Sequence, residues 1–150
     1  ITVRERQPVA FIATNYGFAQ VDSEGMILAV AKSIRQMAIP LITGHHIGNS
    51  YVGETIESPL VRSVLCYLSA LSDSAFNHLS EIYIHSSAQI TGYTINGSLI
   101  KLGEAEQMLE KAAKTSAIIA NEKNALALIE YIDVSYATPY VKFRKERELK

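Results

Sequence analysis

The sequence lacks most of what would announce a chemistry. It holds one cysteine, Cys66, so no internal disulfide can form, and because that residue sits in an apolar, helix-like run it reads as a small buried hydrophobe. No apolar run reaches roughly 18 residues, which leaves no membrane span within the chain, and no signal-peptide pattern is visible. An excess of charge of one sign is also missing. The net charge is −1, so there is no electrostatic case for nucleic acid or an anionic membrane as partner.

Catalytic signatures are absent in the same way. There is no G-x-S-x-G elbow, no C-x-x-C and no H-x-x-x-H. Gly44, Gly48 and Gly53 share a loop at a spacing that fits neither a dinucleotide fingerprint nor a phosphate-binding loop. Asp22, Asp73 and Asp133 fall in a turn, a helix break and a strand, with no second carboxylate placed to make an acid–base pair. His45-His46 is the one lure, but adjacent side chains on an extended segment point to opposite sides, and no further ligand stands at zinc spacing. No catalytic residue, metal or cofactor is expected. A metal- or small-molecule-binding role for the 44–57 loop is the alternative.

What is present is an ordinary globular core. Apolar residues make up 48% of the 150 and charged residues 19%, enough to bury one domain's interior. Residues 2–14 read as a strand, with Pro8 suggesting an edge or a bulge. Phe18–Val21 and Met26–Val30 flank an Asp-Ser-Glu-Gly turn, and a short apolar piece at Ile39–Gly44 precedes a polar loop from His45 to Glu57. Ser58-Pro59 opens a helix over about 58–72 on an apolar stripe that includes Leu65 and Leu68. Strands follow from Glu81 to Ser86, Gln89 to Ile95 and Ser98 to Leu102, the last two joined by the hairpin signal Asn96-Gly97. A second helix is expected over about 104–120, with Glu104 and Glu106 in its first turn and Met108 and Leu109 among its buried residues. Ile129–Tyr136 and Tyr140–Arg144 close the chain as strands. The predicted fold is α+β, a mainly antiparallel, curved sheet with two principal helices on one face.

Several pieces, in order, resemble one family. VRERQPVA (Val3 to Ala10), VDSEGMIL (Val21 to Leu28), IPLITG (Ile39 to Gly44), INGSLIKLG (Ile95 to Gly103) and YIDVSYATPYVKF (Tyr131 to Phe143) are similar to segments of the extracytoplasmic region of the FtsQ/DivIB bacterial cell-division proteins. The resemblance implies that residues 1–150 are that family's β domain, a fragment of a protein whose single transmembrane span and POTRA domain lie upstream; the chain begins at Ile1 with no initiator Met. It implies a non-enzymatic scaffold of the divisome, on the extracytoplasmic side of the cell membrane at the division septum. Its partners would be FtsB/DivIC-like and FtsL-like proteins, with a partner strand added beside the last strand. Carried onto this chain, the contact surface is Tyr136, Thr138, Pro139, Tyr140, Val141, Lys142, Phe143 and Arg144. The family's final turn commonly holds glycine and small polar residues, whereas Ala137-Thr138-Pro139 stands here. Alternation puts Tyr140, Lys142 and Arg144 on one face and Val141 and Phe143 on the other, toward the core. The first set reads as free and cationic, which points to an acidic partner segment and salt-sensitive binding.

Overall fold

The computed structural model describes residues 6–34, 38–48 and 50–145. Nine strands form one sheet: β1 (Ala10–Ala13), β2 (Phe18–Val21), β3 (Ile27–Ala31), β4 (Leu41–Thr43), β5 (Leu79–Ser86), β6 (Gln89–Thr94), β7 (Leu99–Gly103), β8 (Ile129–Asp133) and β9 (Tyr140–Phe143). Their spatial order is β3-β2-β1-β4-β5-β6-β7-β8-β9. Three helices accompany them among the described residues: α1 (Pro59–Ala70), α2 (Asp73–Asn77) and α3 (Met108–Asn121), with a 3-10 turn at Leu126–Leu128.

The α+β class holds, but the sheet is mixed rather than mainly antiparallel, and the helices are three rather than two. β1–β4, β4–β5 and β7–β8 pair in parallel. A parallel neighbour needs a crossover, and the chain supplies two: α1 and α2 carry it from β4 to β5, and α3 from β7 to β8. Strand and helix signals alone do not say whether two strands meet through a hairpin or across a helix. Both crossovers step the same way across strands that run parallel to one another, so the right-handed rule sets all three helices on one face. They pack together there, with the Tyr67 hydroxyl donating to Thr115 Oγ1 at 2.9 Å and the Ser72 N–H to Ser116 Oγ at 3.0 Å.

Register shows what that face buries. Ile12, Ile42, Ile82, Gly92, Ile100, Ile132 and Val141 lie side by side across seven strands. The five isoleucines are buried, and Val141, at the end of the row, only partly. Leu65, Leu68 and Met108 close over the core as expected. Leu109 does not; it is 63% exposed. Gln107 adopts a left-handed conformation (φ 55°) and the helix starts only at Met108, so Glu104 and Glu106 precede it. Met108, Ala112, Thr115 and Ile119 then form the buried stripe, and Leu109 turns away from it.

The first helix begins as its sequence indicates. Ser58 Oγ accepts the Val61 N–H at 3.3 Å with Pro59 in the first turn. Ser72 repeats the device for Ala75 at 3.2 Å, which makes the Asp73 break a second short helix. At the other end of the sheet, β1 is shorter than expected and is an inner strand between β2 and β4, with Pro8 ahead of it. The part of that expected strand before Arg6 lies outside the described residues.

Candidate functional site

The eight residues singled out from the sequence lie in the turn and the second limb of the last hairpin. Tyr136, Thr138 and Pro139 are exposed in the β8–β9 turn, and Tyr140 to Arg144 make up β9 and the residue after it. β9 is the outermost strand, and no described residue pairs with its outer side. Its inner neighbour is Ile129–Asp133, so the strand expected at Ile129–Tyr136 ends three residues early. Phe143 stands opposite Ile129, Lys142 opposite Tyr131, Val141 opposite Ile132 and Tyr140 opposite Asp133, with a bulge on β8 between Ile129 and Tyr131.

The turn is tightened by Asp133, whose Oδ1 accepts both the N–H and the hydroxyl of Ser135. That Asx arrangement ends β8 early. Gly103, at the end of β7, has φ 70°, and a Cβ there would come within 2.8 Å of Ser135 Cβ, so the turn is seated where only glycine leaves room. The Lys114 ammonium donates to the Tyr136 carbonyl at 3.2 Å and ties the turn to α3.

Two backbone bonds fix which groups point where. The Val134 N–H donates to the Lys101 carbonyl at 3.0 Å, so even-numbered residues at the end of β8 face β7 and Tyr131 and Asp133 face β9. The Arg144 N–H donates to the Leu128 carbonyl at 2.7 Å. Tyr140, Lys142 and Arg144 therefore turn their main chain inward, and Val141 and Phe143 turn theirs outward.

The side chains read as free and cationic from sequence are engaged within the sheet. Lys142 Nζ lies 3.0 Å from Glu130 Oε2, and its hydrogen bond to that carboxylate raises the ammonium's pKa. The Tyr140 ring lies 6.0 Å from that of Tyr131, and Lys101 Nζ sits 3.9 Å from the same Tyr131 centroid. Arg144 reaches the Asn96 carbonyl at 3.5 Å. Glu130, Tyr131 and Lys101 are the residues that sequence reading missed. Their contacts depend on the β7–β8 parallel pairing and on a bulge, and neither leaves a local signal.

The alternative site is a real cleft. His45, His46, Ser50, Glu54 and Glu57 line an open depression of about 310 Å³ beside the start of α1. Among the described residues, no group of three or more His, Cys, Asp or Glu is placed to hold a metal ion. Cys66 is half-buried in α1. No helix among the described residues is long and apolar enough to cross a membrane.

A family model described as the C-terminal region of the cell division protein FtsQ/DivIB matches residues 10–135. The matched span covers most of the chain and ends in the turn before β9. Among solved structures, the major extracytoplasmic domain of the trans isomer of the cell division protein DivIB from Geobacillus stearothermophilus is similar, with a TM-score of 0.54 and 15% identity over 83% of this chain and 99% of that one. At that identity the likeness is one of fold. No curated protein sequence matches.

Proposed function

This chain belongs to the FtsQ/DivIB family of cell-division proteins, and from that premise we propose that it is a non-enzymatic interaction domain of the division machinery that binds partners by strand addition to β9. The partners are FtsB/DivIC-like and FtsL-like proteins, met on the extracytoplasmic side of the cell membrane at the septum. In the full-length protein a single span and a POTRA domain precede the chain. The observation that carries this reading is the outer position of β9 with the main chain of Val141 and Phe143 directed away from the sheet. An added strand satisfies those groups with little demand on its sequence, which suits a scaffold rather than an enzyme.

The test is a truncation after Tyr136, checked for folding by circular dichroism. Its affinity for the extracytoplasmic segment of the same organism's FtsB/DivIC-type protein is then measured. Loss of binding with the fold retained is the expected result. A folded truncation that binds as tightly as the intact chain would rule the edge out.

A further inference from the structure

Resting on the strand-addition reading, we propose that the added segment is selected by apolar contact with Val141 and Phe143, and is held through the main chain of those two residues rather than by charge. Three observations converge. First, parity leaves Val141 and Phe143 as the positions of β9 with outward N–H and C=O groups. Pro139, one residue before the strand, falls at the next outward position and has no N–H to offer, so pairing is confined to the run that begins at Val141.

Second, these same residues carry the apolar surface. They stand opposite Ile132 and Ile129, both 1% exposed, on the face that the helices cover. The cover stops short of β9: Val141 is only partly buried and Phe143 is 43% exposed. A partner strand with apolar residues two apart would extend the isoleucine row by one more strand and bury the Phe143 ring.

Third, the two cations of this edge nearest Val141 and Phe143 are already engaged before any partner arrives. Lys101, Lys142 and Arg144 face Glu130 and Asp133; Lys142 is already paired with Glu130 and Arg144 with a carbonyl. Tyr140, Lys142 and Arg144 thus act as positioning residues, holding β9 flat and in register against β8 and the β6–β7 turn. An acidic segment would have to share Lys142 with Glu130.

Calorimetry on the intact 150-residue chain separates the possibilities, with the extracytoplasmic segment of the organism's own FtsB/DivIC-type protein as probe. Phe143→Ser is expected to weaken binding at least about tenfold, Lys142→Gln by no more than about twofold, and a change from about 50 to about 500 mM salt by only a few-fold. Val141→Pro removes one outward N–H, a change an edge strand tolerates, and is expected to abolish binding with the Tyr131 amide still protected from exchange. If Val141→Pro disturbs the hairpin, Phe143→Ser decides, because it leaves the main chain intact. Strong salt dependence, or a larger loss in Lys142→Gln than in Phe143→Ser, would overturn the proposal while leaving strand addition standing. Undiminished binding by the truncation after Tyr136 would instead remove strand addition itself. A concentration-dependent dimer of this chain that Val141→Pro dissolves would assign the edge to a second copy, and that too would overturn the proposal.

Discussion

The sheet has two edges, and the chain treats them differently. At β3 it covers the start of its own edge. The Ile27 N–H donates to the Glu54 carbonyl at 2.8 Å, the Ile27 carbonyl accepts the Gly53 N–H at 2.9 Å, and the Ile56 N–H donates to the Gly25 carbonyl at 2.8 Å. Met26 and Thr55 form an antiparallel bridge between them. Residues 53–56 thus lie along Gly25, Met26 and Ile27, at the entry to β3, and a register shift next to Ile27 distorts the strand further. At β9 no described segment plays that part, although the strand is anchored from within by Glu130, Tyr131 and the Asn96 carbonyl. Covering and anchoring are separable. An edge that is anchored but uncovered is rigid enough to offer a template and still has groups to pair, and that combination supports β9 rather than β3 as the docking edge.

The largest expected effect comes from removing the support beneath β9. Ile132 is 1% exposed and lies between Ile100 and Val141 in the row that crosses the sheet. Ile132→Ala is expected to cost about 2–5 kcal/mol in urea denaturation. Val30→Ala on β3, where the residue is 41% exposed, should stay within about 0.5 kcal/mol. Equal losses at the two positions would show that the core reaches both edges alike and would break the contrast.

A middling effect tests the anchor of the covered edge. Asp22 is 3% exposed, and its carboxylate accepts from Arg6 at 2.6 Å and from the N–H groups of Met26 at 2.9 Å and Glu24 at 3.0 Å, which fixes the turn into β3. Burial pushes this carboxyl up, but those hydrogen bonds outweigh it and hold it below its ordinary 3.8. A group whose folded pKa is depressed stabilises the fold above its ordinary value, and the contribution is lost as pH falls through the depressed one. Asp22→Asn is therefore expected to cost about 1–3 kcal/mol at neutral pH, with the gap to the unchanged chain closing only below about pH 4. A gap that is constant with pH would mean that the carboxylate's charge contributes nothing.

The contrast between the edges was only half legible in the sequence. The hairpin at Asn96-Gly97, the Ser58-Pro59 helix start and the terminal strand are local patterns that need no partner to be read. What the strand does with its cations is not local. Lys142 looked free because its partner, Glu130, is twelve positions back and faces it only through the bulge on β8. The cover at the start of β3 was hidden for the same reason: residues 45–57 carry no strand pattern, and residues 53–56 find their partners only once β3 is in place. Leu109 failed for a smaller cause, a helix that starts a few residues late after a left-handed Gln107. For the terminal strand and the second helix a periodicity was visible and its docking partner was not.

The smallest expected effect is also the sharpest test of the cover. Gly53 has φ 93° and nothing within 4 Å of where a Cβ would sit, so Gly53→Ala adds backbone strain without a clash. Such strain costs about 1 kcal/mol and falls on the segment that closes β3. Since the Ile27 amide is bonded to Glu54 within that segment, its hydrogen exchange follows local opening of the cover, and 1 kcal/mol makes exchange about fivefold faster. The Val141 and Phe143 amides should exchange freely in both proteins, because no described group accepts from them. In the presence of partner they alone should become protected, while Ile27 is unchanged. If Ile27 exchanges as fast as Val141 before any substitution, the cover is not formed in solution and the two edges are equally open. If Val141 and Phe143 are already protected in the isolated chain, β9 is closed by something of its own and the edge is not available to a partner.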